Sequence, residues 1–512
     1  MKTKKVEDIM IRRIVSTLSA LILILAIVST AVASNGTQIG TVGAKSTAMG
    51  SAFRGLADDW SAAFFNPAGI TQFGKWNIGV SAGFIMPRGS YQAYPYPAFP
   101  SPALVTDQVD ATAKNFVVPA LGVFYKATEK LSVGLSVYAP FGLGTEWDLF
   151  KIPANYGNAK AISKEKESFS DHQVIDIQPT VAYKFSEKLS IGAGFSYITG
   201  KMTLDQINLA LNPLLASWTA VSMVPLMLGG TTPWAWNADQ NRIIAETNLE
   251  GDGTAMGGNA GILFKPSEKF SIGLSGRYST DLKLKGDMTQ TIAMPGDAVK
   301  YQTLVAAATA LAVADPAKSA QLQAAAGAFS GVNVPTTYKD ITADLPLPWT
   351  VGAGIAFRPS CSWTLTADAS LTNWSAWDVI EIDEGAAGKT EMLQDWKNTI
   401  ELGLGVEWLA MQTESHKLFI RAGGYTVDSP VPNGTMNPTL LDPTRRYVAT
   451  AGVGLNMGKV SFDFAFEHVF FGDKDIPASE YVFDPVKGYA ENYAGKYIFN
   501  ANVFTIATTI SL

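Results

Sequence analysis

Three segments of this chain almost repeat one another: EKLSVGLSVY (Glu129–Tyr138), EKLSIGAGFSY (Glu187–Tyr197) and EKFSIGLSGRY (Glu268–Tyr278). In each, a large apolar residue alternates with a small or polar one. That is the period of a strand with one greasy and one polar face. Each follows a tight turn (KATEK, KFSEK, KPSEK), and upstream of each turn lies another alternating run, such as TVAYKF before SEK. The repeating unit is therefore strand, short turn, strand.

Extending this pattern predicts strands near 76–86, 115–126, 131–140, 173–184, 189–202, 243–264, 270–286, 341–357, 363–373, 397–409, 417–427, 446–456, 459–469 and 501–512, an even set of fourteen. The links between them alternate in length. Short turns on one side and long loops on the other are the signature of an outer-membrane barrel. Charge parity supports it. Arg277 opposes Ile272, Leu274 and Tyr278, and Asp368 opposes Leu365 and Leu371. Glu401 and Glu407 oppose Ile400, Leu402, Leu404, Val406 and Trp408. Asp463 and Glu467 oppose Val460, Phe462, Phe464 and Phe466, and Arg421 opposes Leu418 and Ile420. A Lys or Arg facing lipid at mid-depth costs roughly 2–4 kcal/mol, and this placement avoids it. The competing fold is a soluble sandwich with its greasy face inward. Strand length and loop asymmetry favour an all-β, fourteen-stranded antiparallel transmembrane β-barrel.

The amino terminus fits export. Lys2, Lys4, Lys5, Arg12 and Arg13 precede an uncharged run, Ile14 to Val32, that closes with Ala31-Val32-Ala33. A basic region, an apolar core and an A-x-A site read as a secretory signal over residues 1–33. The run is also long enough to be a membrane anchor. No other uncharged run reaches the length of a spanning helix with convincing apolarity. Only 16% of residues are charged, the net charge is -6 and no basic block occurs, so nucleic acid is not an expected partner. One cysteine, Cys361, excludes an internal disulfide and a Cys-rich zinc site. His172, His416 and His468 have no metal-ligand spacing, so neither metal nor cofactor is expected. A membrane esterase would need a serine beside a histidine. His172 and His416 are expected at strand ends and His468 on the lipid face, so no catalytic residue is assigned. GDGTAMGG (Gly251–Gly258) mimics a phosphate loop, but no helix follows it, and its glycines suit a barrel bend.

Three features lie outside the strand pattern. Residues 34–75 precede the first strand and contain ADDWSAAFFNPAGI (Ala57–Ile70), apolar and helix-prone, with a turn at Asn66-Pro67. They form either a plug folded back into the lumen, with residues 76–512 as the barrel, or a simple turn from a short helix to the wall. Two loops, Leu204–Gly230 and Tyr301–Gly331, are apolar and helix-prone, the second broken at Pro316. They pack on each other, form a landing site for an apolar ligand, or do both. Pro140, Phe141 and Gly142 interrupt the third strand, because proline gives no ladder donor and glycine weakens pairing. Either that strand ends at Ala139 or the wall kinks there and opens sideways.

The segment GAKSTAMGSAFRGLADDWSAAFFNPAGI resembles the amino-terminal hatch signature of the FadL family of long-chain fatty acid transporters. VYAPFGLGTEW, GNAGILFKPSEKFSIGLSGRYSTDLKLKG, LPLPWTVGAGIAFRPS, TNWSAWD and YTVDSPVP extend the resemblance over nearly the whole mature chain. It implies a fourteen-stranded barrel, an N-terminal helical hatch, helical outer loops forming a ligand groove, and lateral release into the membrane. It also implies a gating role for Asp58, Asp59, Phe64, Phe65, Asn66, Pro67, Ala68 and Gly69. Some members of the family serve aromatic hydrocarbons. One departure is the final residue, Leu512, where the family usually ends in an aromatic.

The expected function is uptake of hydrophobic molecules, foremost long-chain fatty acids, across a Gram-negative outer membrane by a monomer surrounded by outer-membrane lipid. Aromatic hydrocarbons are the alternative cargo. A water-filled porin and a structural barrel or adhesin are the other readings, and the greasy loops speak against both. A ligand carboxylate in the lumen would need a cation. Arg277 and Arg421 have lumen parity and are the candidates, unless they pair with acids such as Asp368, Glu401 or Asp463 and brace the wall.

Overall fold

A computed structural model describes residues 37–95, 107–149, 168–211, 221–227, 231–234, 242–439, 442–484, 489–490 and 492–512. The export segment, residues 1–33, lies outside them, as do 212–220 and 228–230 of the first apolar loop.

Fourteen antiparallel strands close a barrel. They are β1 (Trp76–Ala93), β2 (Phe116–Lys126), β3 (Leu131–Trp147), β4 (Ser168–Ser186) and β5 (Leu189–Leu211). β6 (Arg242–Ser267) follows, then β7, which runs as Phe270–Ser279 and Leu282–Ala293, and β8, as Asn333–Leu345 and Thr350–Ser360. The last six are β9 (Trp363–Thr372), β10 (Thr399–Gln412), β11 (Lys417–Val427), β12 (Arg446–Met457), β13 (Val460–Phe471) and β14 (Gly495–Ser511). β1 closes the ring on β14, from Asn77↔Ser511 to Ala93↔Gly495. This pairing of the first strand with the last means that neither stands as an open edge in lipid, where each orphaned backbone group is costly. The short turns are tight. Gly458, at φ 70°, occupies the two-residue link between Met457 and Val460, a position that suits glycine. Among the described residues no helix is long and apolar enough to span a membrane.

The outward face is apolar and carries two belts of exposed aromatics. Trp76, Tyr183, Phe185, Trp363 and Trp408 ring the short-turn end. Trp363 and Trp408 are register partners and stack at 5.7 Å. Tyr197, Tyr278, Tyr447 and Phe470 form the other belt. Phe462 and Phe470 stand eight positions apart on β13, roughly 20 Å along the barrel axis at a usual strand tilt. That height matches the apolar band of an outer-membrane barrel.

Several strands outrun the sequence expectation. β1, β4, β5 and β14 extend 5 to 9 residues further toward the long-loop end. There the wall leaves the lipid, so one face need not be greasy, and alternation fades while backbone pairing continues. Leu204–Leu211, expected as loop, is β5. β3 does not stop at Ala139 but continues to Trp147. Gly251–Gly258 lie in continuous β6, opposite the point where β7 breaks between Ser279 and Leu282. Leu512 exchanges two backbone bonds with Trp76, at 2.8 and 3.0 Å.

Fourteen strands enclose more space than their own side chains fill. Residues 37–75 occupy the lumen at the short-turn end. They contain a short helix at Ala44–Ala48, a second at Ala62–Phe65 and a 3-10 turn at Pro67–Gln72. At the long-loop end, helices Ala298–Leu311 and Pro316–Gly327 are capped by Asp297 and Asp315, whose side chains accept from Lys300 N and Lys318 N. They bury Leu304, Leu322 and Phe329 with Val221 and Val224, so the two apolar loops pack on each other.

Candidate functional site

The lumen segment is held by its own unfinished helix. Asn66 is extended (φ -156°, ψ 101°) and Pro67 has no N–H, so the helix Ala62–Phe65 stops after one turn. Three successive carbonyls are left over, and the barrel wall takes each. Ala63 O accepts from Gln178 Nε2 (3.0 Å) and Asn259 Nδ2 (2.7 Å). Phe64 O accepts from Arg277 Nη2 (3.1 Å) and Phe65 O from Ser275 Oγ (2.6 Å). Asn66 itself is fully buried. Its Nδ2 donates to Arg54 O and Ile262 O, both at 3.0 Å, and its Oδ1 accepts from Ala68 N at 3.2 Å. On the far side, Asp368 Oδ2 accepts from Phe53 N (3.0 Å) and Arg54 N (2.8 Å).

Glycines of the wall make room for this contact. A Cβ at Gly273 would lie 1.9 Å from Arg54 O, and one at Gly261 2.2 Å from Asn66 Oδ1. The two acids of the segment have different tasks. Asp59 Oδ1 accepts from Ser61 N (2.9 Å) and Ser61 Oγ (2.6 Å), starting the short helix. Asp58 pairs with Lys45 at 2.9 Å, and Lys45 reaches Glu407 at 3.4 Å.

The wall is broken between β2 and β3. β2 pairs β1 from Phe116 onward, yet it meets β3 only from Leu121↔Val137 to Lys126↔Ser132. Beyond Val137, β3 turns away, and its register with β4 shifts between Tyr138 and Phe141. The two sides meet again above, where Thr112 N donates to Glu146 O and Lys114 pairs with Glu146 at 2.7 Å. Inside this window the lumen segment supplies backbone partners. Ile39 N donates to Pro140 O (2.9 Å), and Gly142 N donates to Thr37 O (2.8 Å). Tyr138, at the edge of the break, accepts from Arg277 Nη2 (3.1 Å), donates to Gln178 Oε1, and packs edge-on against Phe64 at 5.1 Å.

Above the lumen segment lies a cavity of about 360 Å³, within the range of small-molecule sites. Its greasy lining includes Leu204, Leu249, Leu284, Met288, Ile341 and Met392. Trp377 also lines it, in contact with Trp374 and Trp396 at centroid distances of 5.7 and 4.5 Å. Trp374 in turn meets Phe141 edge-on at 6.5 Å. Aromatic rings thus connect the cavity to the break in the wall. The register partners Gln206, Thr247 and Gln290 make a polar row at one border of the cavity.

Residues 25–511 match the family described as outer membrane protein transport protein (OMPP1/FadL/TodX). The chain belongs to this family. A long-chain fatty acid transport protein of Escherichia coli O6:H1 is 24% identical over 85% of this chain and 86% of its own. A putative outer membrane protein of Neisseria meningitidis is also 24% identical, over 89% and 90%. Among solved structures, a Pseudomonas aeruginosa FadL homologue superposes with TM-score 0.66 at 18% identity, covering 93% of this chain and 99% of that one. The Pseudomonas putida toluene transporter TodX gives TM-score 0.61 at 14% identity, with 92% and 99% covered. These two show the same fold. The chain is an outer-membrane transport protein for hydrophobic substrates and not an enzyme.

Within this FadL/TodX barrel the residues singled out from the sequence are distributed unevenly. Asp58, Asp59, Phe64, Phe65, Asn66, Pro67, Ala68 and Gly69 lie together in the lumen, and Pro140, Phe141 and Gly142 lie at the break. The two arginines part company. Arg421 is buried between Glu407 (2.7 Å) and Asp463 (2.5 Å), a fully paired brace. Arg277 is bound to the Phe64 carbonyl and lies over the Phe64 and Tyr138 rings at 4.4 and 5.2 Å. Neither lines the apolar cavity. His172 is not at a strand end: β4 begins at Ser168, and His172 lines the cavity. Sequence reasoning missed Gln178, Asn259 and Ser275. Their signal was a polar residue at lumen parity among glycines, as in QPTVAY, GGNAG and GLSGR.

Proposed function

We propose that this chain takes apolar molecules, foremost long-chain fatty acids, from the surface of a Gram-negative cell and releases them sideways into the outer membrane. The observation that carries the reading is the aromatic link from the cavity to the break beside Val137. A greasy ligand can follow Trp377, Trp374 and Phe141 without crossing the polar contact between wall and lumen segment. Residues 34–75 act as a plug. They close the lumen to water, and their Thr37–Ile39 stretch covers the window until a ligand displaces it.

The E. coli relative, named for long-chain fatty acid transport, supports the cargo. A second reading, an aromatic hydrocarbon, is favoured by the Trp374, Trp377 and Trp396 cluster and by the fold shared with toluene transporters. Uptake of labelled long-chain fatty acid and of labelled toluene, in cells where this chain is the only such route, decides between them. Replacing Trp374 by Ala should slow uptake of whichever cargo is carried. Unchanged uptake would send the ligand straight through the barrel instead.

A further inference from the structure

We propose that His172 reads the polar end of the ligand, and that the cavity selects amphiphiles with one carboxyl or hydroxyl end over bare hydrocarbons. The inference rests on the transport reading above and narrows its substrate class. His172 is half-buried, lines the cavity, and has no hydrogen-bond partner among the described residues. The ring, whose register partner on β5 is Met202, opens into the cavity, and a guest that displaces water there without replacing its hydrogen bond loses affinity, whereas one that supplies the bond keeps it. The position is also apt. In register, His172 stands between Leu143 of β3 and Met202 of β5. It therefore separates the broken strand from the greasy half of the cavity.

The other charged groups at the cavity define what this guest can be. Lys285 is exposed and paired with Asp340 at 2.8 Å, and Glu250 is paired with Lys201. Glu384 accepts from Thr390 Oγ1 at 2.7 Å. Among the described residues that line the cavity, no unpaired lysine or arginine awaits an anion. Two acids stand there instead. An ion-paired carboxylate is therefore disfavoured, and a hydrogen-bonded end group is favoured. Imidazole both donates and accepts, which suits a protonated carboxyl or an alcohol. An alkane or a simple arene offers it nothing.

The test is equilibrium binding to the purified full chain in detergent. The probes are a long-chain fatty acid, the alcohol of the same length and the alkane of the same length. With His172→Leu, affinity for acid and alcohol should fall roughly 3- to 10-fold, the worth of one hydrogen bond, while alkane affinity holds. His172→Gln, which keeps a donor and an acceptor, should recover part of the loss. Unheated gel mobility checks that each variant is folded. Equal losses for all three probes, or no loss for any, would overturn the assignment while leaving transport standing. Failure of the unaltered protein to bind any of the three would overturn the transport reading and this inference together.

Discussion

One strand passes through two different environments. In the lower half of β7 the lumen face is Gly273, Ser275 and Arg277, and each touches the lumen segment. In its upper half the same face is Leu282, Leu284 and Met288, of which the last two line the open cavity. β6 repeats the contrast, with Asn259 and Gly261 below and Ala245 and Leu249 above. Below, small residues bring two backbones close enough for directional hydrogen bonds, so the fit admits one shape. Above, long flexible side chains such as Met202, Met288 and Met392 pack with Leu204, Leu249 and Ile341 through non-directional apolar contacts, which adapt to a guest. Rigidity suits a part that returns to one closed position, and plasticity suits a site for a ligand with few polar features.

The sharpest way to break the lower half is to orphan its buried charges. Arg421 neutralises both Glu407 and Asp463. Arg421→Ala leaves buried Glu407 and partly buried Asp463 without that cation, and loss of a buried pair typically costs about 3–5 kcal/mol. Urea unfolding in detergent should reveal a loss of that size. Next comes steric expulsion. Gly273→Val places a Cβ where Arg54 O now lies, and overpacking costs about 1–3 kcal/mol. The barrel should still form while the lumen segment is pushed out, and planar-bilayer conductance should rise. The matching change above, Met288→Leu, conserves volume and should cost under about 1.5 kcal/mol, with no new conductance. Equal conductance in the two variants would erase the proposed division of labour.

The wall was legible because its rule is local. Alternation, turn length and charge parity each follow from a strand between lipid and lumen, and the predicted fourteen strands are the observed ones. Their upper ends were not legible, since beyond the lipid nothing forces Ser168–His172 or Leu204–Leu211 to alternate. The site was legible in pieces. Asn66-Pro67 announces a broken helix, and Pro140 a broken strand. That the two lie in one lumen depends on contacts such as Asn66 with Ile262 and Ile39 with Pro140, each between residues far apart in sequence. The pairing of Asp368 with Arg54, in place of Arg277 or Arg421, also depends on how the lumen segment is seated.

A milder disturbance separates closing from folding. Asn66→Ala with Pro67→Ala removes the three hydrogen bonds of the Asn66 side chain and allows the helix to run on past Phe65. At about 1 kcal/mol per bond, docking of the lumen segment should weaken while the barrel, whose strands are untouched, keeps its unfolding midpoint. Uptake of labelled fatty acid should change. Wild-type uptake of every apolar ligand offered would reduce Asn66-Pro67 to a simple turn.

The smallest effect expected is a pH dependence of closure. Burial inside the lumen pushes the Asp59 carboxyl up to about 6, against the opposing pull of its Ser61 hydrogen bond and of Lys45. When the segment undocks, the carboxyl returns to an ordinary value near 3.8. The docked state therefore holds the proton more tightly than the undocked one. Its advantage is fullest below about pH 4, declines as pH rises through about 6, and is constant above that. Conductance to small ions should accordingly rise between these limits and then level off. Asp59→Asn retains an acceptor for Ser61 but cannot ionise, so its conductance should lack this rise. A wild-type rise that persists unchanged in Asp59→Asn would place the titration elsewhere, and a flat wild-type profile would mean that Asp59 does not influence closure.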